Sequence, residues 1–127
     1  MTTTPENRVL LRAIDIYCAV WNEPEETRRR ELLNSVWSAS ATYTDPTVFA
    51  DGAEKLLSHI GSVRARRPGA ILNRTTPLDE HHGHVRFGWR VTQSDGSLLR
   101  EGIDIAEVDD SGKIRRMLGF FGPLALL

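Results

Sequence analysis

Apolar residues recur every three or four positions up to Pro68, and after Gly69 they alternate with polar ones; the first period is that of a helix and the second that of a strand. Thr4, Pro5 and Glu6 read as a cap, a first-turn proline and a first-turn acid, so a helix is expected to start there. Leu10, Ala13, Ile14, Tyr17 and Trp21 share its inner face, opposite Arg8, Arg12 and Asp15. A second helix starts near Pro24, with Leu32, Leu33, Val36 and Trp37 inward and Glu25 and Glu26 spaced to pair with Arg29 and Arg30; it is expected to end near Ser38. Ala41 to Thr44 reads as a short extended piece, and Asp45 must avoid helical geometry because Pro46 follows it. The third helix is expected to open at Asp51, with Glu54 completing a capping box. Its stripe is Leu56, Ile60 and Val63, with His59 the one ionisable group on that face, and Pro68-Gly69 ends it.

Ala70 to Thr76 is β-compatible. Val85, Phe87, Trp89 and Val91 alternate with Arg86, Gly88 and Arg90, and Ser94 to Ser97 is a hairpin turn. Leu98 to Val108 returns, Asp109 to Gly112 turns again, and Lys113 to Phe121 is the last strand. The pattern predicts a meander of about four antiparallel strands and an α+β class: three N-terminal helices packed on a curved antiparallel sheet. Met117, Gly119 and Phe121 share one face of the last strand and Leu118 and Phe120 the other, so both faces of the sheet look apolar. For a sheet with helices on one side, that predicts a homodimer through the outer face.

Composition narrows the function classes. The 127 residues suit one domain spanning 1–127, able to bury roughly two thirds of its unfolded surface. Sixteen basic against seventeen acidic residues, without a long single-sign block, argue against a nucleic-acid partner. The single cysteine, Cys18, has no intrachain partner, and no charged-then-apolar leader or bilayer-length run is evident, so a cytoplasmic protein without membrane partners is expected.

The candidate chemistry lies in two acids. Asp45, before a proline at a bend, is either a pocket carboxylate or a turn residue bonding its own backbone. Asp104, flanked by Ile103 and Ile105, is costly to bury unless protonated, hydrogen-bonded or paired, for instance with Arg90 or Arg100. Tyr17 and His59 are candidate acids or hydrogen-bond donors, with core packing as the plainer reading of each. Trp21, Tyr43, Phe49 and Phe87 are candidate substrate-contacting residues, as are Trp89, Met117 and Phe121. His81, His82 and His84 invite a metal reading, but adjacent strand histidines point to opposite faces and no distant ligand set has metal spacing, so no metal is expected.

Three motifs carry a resemblance: Ala-Thr-Tyr-Thr-Asp-Pro at 41–46, Asp-Gly-Ala-Glu-Lys-Leu-Leu-Ser-His-Ile at 51–60, and Gly-Ile-Asp-Ile-Ala-Glu-Val-Asp-Asp-Ser-Gly-Lys-Ile at 102–114. With the order of helices and strands, the whole chain resembles the nuclear transport factor 2-like superfamily, in its SnoaL-like and ketosteroid isomerase-like branch. The resemblance implies a cone with an internal pocket. It also implies that Asp45 is the proton-moving base, and that Tyr17 and a protonated Asp104 donate hydrogen bonds to a developing oxyanion. The expected function is that of a cofactor-free isomerase, cyclase or dehydratase acting on a hydrophobic carbonyl compound. A non-catalytic small-molecule-binding or dimerisation module of the same fold is the alternative, and epoxide hydrolysis with Arg100 a third reading.

Overall fold

A computed structural model describes residues 5–127, so the expected cap at Thr4 lies outside the described residues. Helix α1 (Pro5–Asn22) buries the stripe through Leu10, Ala13, Ile14 and Tyr17 and adds Cys18 and Val20 to it. After a break at Glu23 to Glu25, which contains Pro24, α2 (Glu26–Val36) turns back against it. Arg30 reaches Glu26 at 3.8 Å and Glu54 at 2.9 Å, tying α2 to α3 (Ala53–Arg66). Arg29 does not make the expected pair with Glu25; it is buried, with its Nη1 3.4 Å from the Glu23 carbonyl.

Two strands lie between α2 and α3 where the sequence pattern suggests only a short extended piece: β1 (Trp37–Asp45) and β2 (Val48–Asp51). Helix α2 ends two residues before Ser38 because Trp37 already takes an extended conformation. Asp51 belongs to β2, opposite Thr42, so it does not cap α3. Gly52, at φ 90°, turns the strand directly into the helix, a conformation that needs no Cβ. The remaining strands are β3 (Ile71–Arg74), β4 (Asp79–His81), β5 (His84–Thr92), β6 (Leu98–Val108) and β7 (Ile114–Phe121).

The seven strands form one unclosed sheet in the order β2-β1-β7-β6-β5-β3, with β4 pairing β5 off that path. The sheet is mixed, since β1 runs parallel to β7 while the other pairs are antiparallel. This pairing joins residues some seventy positions apart, beyond the reach of local periodicity. It places one row of inward positions across four strands: Phe87 opposite Asp104, Asp104 opposite Gly119, and Asp45 one step beyond the Thr44–Leu118 pair. Helices α1 and α3 cover the concave face, and the aromatic rings of Tyr17 and Trp37 stack there at 6.0 Å. Among the described residues no helix is long and apolar enough to cross a membrane.

Gly102 pairs with Trp89 of β5 on one side and Phe121 of β7 on the other. A methyl group there would overlap the Phe120 carbonyl oxygen and lie 2.6 Å from Trp89 Cζ2. Because one neighbour is backbone, relief requires the β6–β7 pair to shift. Gly102→Ala is therefore expected to lower stability by about 2 kcal/mol, read as a lower urea midpoint with an unchanged slope.

Candidate functional site

The concave face and the helices enclose a cavity of about 300 Å³. Tyr17 and Trp21 enter it from α1, Tyr43 and Asp45 from β1, and His59 from α3; Trp89, Asp104 and Phe121 line it from β5, β6 and β7. The sequence candidates thus separate into two groups. Phe49 is 65% exposed on the edge strand β2 and does not reach the cavity, because alternation along β2 turns Ala50 inward instead. Phe87 and Met117 face inward but belong to the sealed core, on the same faces as Val85 and Ala106, and do not line the cavity.

Asp45 fulfils both readings of an aspartate before proline. Its Oδ1 accepts from the Thr47 backbone N–H at 2.7 Å and the Thr47 hydroxyl at 2.6 Å, the bonding of an Asx turn. Its Oδ2 accepts from the Tyr43 hydroxyl at 2.6 Å and lies 3.8 Å from His59 Nε2. One oxygen holds the bend and the other faces the cavity.

Asp104 is in the opposite situation. It is 6% exposed, and among the described residues its sole side-chain hydrogen-bond partner is the Trp89 indole N–H, which donates to Oδ1 at 2.8 Å. No arginine lies within ion-pair distance of it among the described residues, and Arg100 instead stacks its guanidinium 4.2 Å from the Phe121 ring centre. Burial pushes the Asp104 carboxyl up to about 7, with the Asp45 charge acting in the same direction and the Trp89 bond opposing it. The Tyr17 and Tyr43 hydroxyls are pushed well above the ordinary phenol range, chiefly by burial, and stay protonated donors. His59 is held below its ordinary value, first by burial, so the neutral imidazole dominates at pH 7. Its ring packs near Trp21 at 6.0 Å and Tyr43 at 6.2 Å.

Gly119 joins the two acids and was not among the sequence candidates. A carbon added to it would lie 3.1 Å from Asp104 Oδ1, 3.3 Å from Asp45 Cβ and 3.7 Å from the Tyr43 hydroxyl. The acids flank a residue without a side chain, which leaves room for both carboxyls above one spot in the sheet. A glycine inside an otherwise apolar strand was the available signal. Outside the cavity, His81, His82 and His84 lie together because His82 and Gly83 form the β4–β5 turn, so the two adjacent histidines are not on opposite faces of a strand as expected. Among the described residues no three side chains have metal-binding geometry. Cys18 is buried and its thiol pushed up to about 12, mainly by that burial, which keeps it from acting as a thiolate nucleophile.

Among solved structures, a candidate isomerase of the SnoaL-like family from Agrobacterium tumefaciens superposes with a TM-score of 0.85 at 28% identity, covering 91% of this chain and 99% of that one. The chain has the SnoaL-like, nuclear transport factor 2-like fold. A candidate SnoaL-like polyketide cyclase from Jannaschia sp. CCS1 aligns with a TM-score of 0.75 at 10% identity, over 95% of this chain and 90% of that one. An NTF2-like protein of unknown function from Exiguobacterium aligns at 0.70 and 18% identity, over 88% and 99%. No protein-family model and no curated protein sequence matches the chain. The SnoaL-like neighbours bear different activity names, so the shared fold supports no single reaction and the chemistry must be argued from the cavity itself.

Proposed function

We propose that this SnoaL-like protein catalyses a proton transfer on a hydrophobic carbonyl compound, as an isomerase, cyclase or dehydratase. The observation that carries the reading is the pair of unlike carboxyls flanking Gly119 on one cavity wall: Asp45 held by donors and Asp104 buried with its pKa raised to about 7. Asp45 Oδ2 takes a proton from the carbon next to the carbonyl. The electron pair moves onto the carbonyl oxygen, which accepts hydrogen bonds from protonated Asp104 and the Tyr17 hydroxyl. Asp45 then returns the proton to a different carbon, completing the shift. Every step uses groups that the chain itself supplies.

The test is solvent deuterium exchange and double-bond migration in a panel of unsaturated cyclic ketones. Wild type is expected to exchange at least one of them, and equal rates for wild type and Asp45→Asn retire the general-base role. A fold that only binds such compounds would shift the melting temperature on ligand addition without exchange. We also propose that two copies pair through the convex face. Ile103 and Phe120, opposite each other in register, are 39% and 56% exposed there, and such apolar pairs are normally covered. Sedimentation is expected to give a dimer that Phe120→Lys converts to monomer; a monomeric wild type rejects the pairing.

A further inference from the structure

The cavity has an electrostatic asymmetry that proton transfer on a neutral ketone does not use. Among the described residues Asp45 and Asp104 are the only acids lining it, whereas Arg64, Arg66, Arg67 and Arg100 all do. Arg64 is half-buried and donates to the Trp21 carbonyl at 2.8 Å, so it serves the packing of α3 on the end of α1. The other three are exposed, which sets them at the open side of the cavity, and among the described residues none of them lies within 4 Å of a carboxylate.

Basic residues are common near a helix C-terminus, where they complement the dipole, and this accounts for Arg66 and for Arg67 just beyond it. It does not account for Arg100, which comes from β6 and lies against the cavity wall over Phe121. The two sets converge because the loop after α3 packs on the β5–β6 turn: a carbon added at Gly69 would lie 2.9 Å from Ser94 Cβ. Arg66 is also felt inside, since its charge adds to the burial that holds His59 below its ordinary value.

Resting on the proton-transfer reading of the interior, we infer that the substrate is amphipathic, with an apolar carbonyl-bearing body in the cavity and a carboxylate or phosphate held at the mouth by Arg66, Arg67 and Arg100. The guanidinium groups are suited to that role: they are always charged, and they offer paired N–H donors to planar oxyanions. A volume of about 300 Å³ suits a body of one or two rings.

Calorimetric titration with naphthalene-2-carboxylate, naphthalene-2-carboxamide and 2-naphthyl phosphate tests the inference. In low salt, the carboxylate or the phosphate is expected to bind at least about tenfold more tightly than the amide, and the tighter of the two names the anion. The preference should shrink below about threefold in the Arg66→Gln/Arg67→Gln and Arg100→Gln proteins, and fall in about 0.5 M NaCl. Equal affinity for anions and amide, an unchanged preference in both variants, or no binding of any probe overturns the inference. Asp45→Asn separates it from the catalytic reading, because that protein should keep the anion preference. Ketone exchange by a wild type with no anion preference removes the anionic substrate class alone; anion preference without exchange removes proton transfer alone.

Discussion

Asp45→Asn is expected to reduce proton transfer by about 10³-fold while leaving the fold in place. The substitution preserves the bend. Asparagine retains Oδ1, which can go on accepting from the Thr47 N–H and hydroxyl, so the bend before β2 keeps its two bonds of 2.7 and 2.6 Å. The Tyr43 hydroxyl, now facing an amide N–H₂ in place of Oδ2, can rotate to accept and does not become an orphan. What disappears is basicity at the one oxygen that faces the cavity. An amide cannot hold a carbon-derived proton at neutral pH, and the neighbouring neutral His59, 3.8 Å from Oδ2, is not seated on the turn that fixes that oxygen. Circular dichroism and a thermal melt should match wild type, while the exchange rate at saturating substrate collapses. Loss in kcat with little change in KM distinguishes removal of the base from damage to the pocket.

The sequence carried this site unevenly. Tyr17, Trp21 and His59 were legible because helical periodicity assigns a face, and the face that packs on the sheet is also the one that meets the cavity. Asp104 was legible because an acid between isoleucines violates the burial rule unless something answers it. Its partner was not: Arg90 lies on the outward face of β5, Arg100 stacks on Phe121 instead, and it is the indole of Trp89, next to Arg90 but on the inward face, that reaches Asp104. Phe87 and Met117 show why alternation alone is too coarse. It places them on the inward face, but only the distance along the sheet separates sealed core from cavity, and that depends on where α1 and α3 cross it. The meander of strands was readable from turns and period. The parallel β1–β7 pair was not, and it is this pair that brings Asp45 beside Gly119 and hence beside Asp104. A local reading could propose the two acids as partners; only the non-local pairing puts them together.

Asp104→Asn should make the protein more stable and less active, and the gain in stability should depend on pH. In the unfolded chain this carboxyl ionises near its ordinary value of 3.8, whereas in the folded protein burial holds the proton until about pH 7. Between those values the folded state binds the extra proton, so the contribution of Asp104 to stability declines as pH rises from about 4 to about 7 and is constant above that window. A displacement of this size corresponds to roughly 4 kcal/mol. Asparagine is neutral throughout, still offers Oδ1 to the Trp89 N–H, and so escapes the penalty. The two proteins should melt alike near pH 4, and the variant should melt progressively higher up to about pH 7, with the difference constant above that. Comparing them at each pH removes the opposing contribution of His59, whose depressed pKa costs stability as pH falls below its ordinary value of 6.5. A melting difference that stays flat from pH 4 to 8 would mean that Asp104 ionises in the folded protein as it does in the unfolded chain, and it could then not serve as the proton-bearing donor. In the exchange assay, the amide can still donate to an oxyanion, but less strongly than a carboxylic acid, so activity should fall while losing the decline on the alkaline side that deprotonation of Asp104 imposes on wild type. Retaining a carboxyl that destabilises the fold at neutral pH is difficult to explain by packing, since asparagine would fill the same space; it is what a site requires when one buried acid must keep its proton beside another that must lose it.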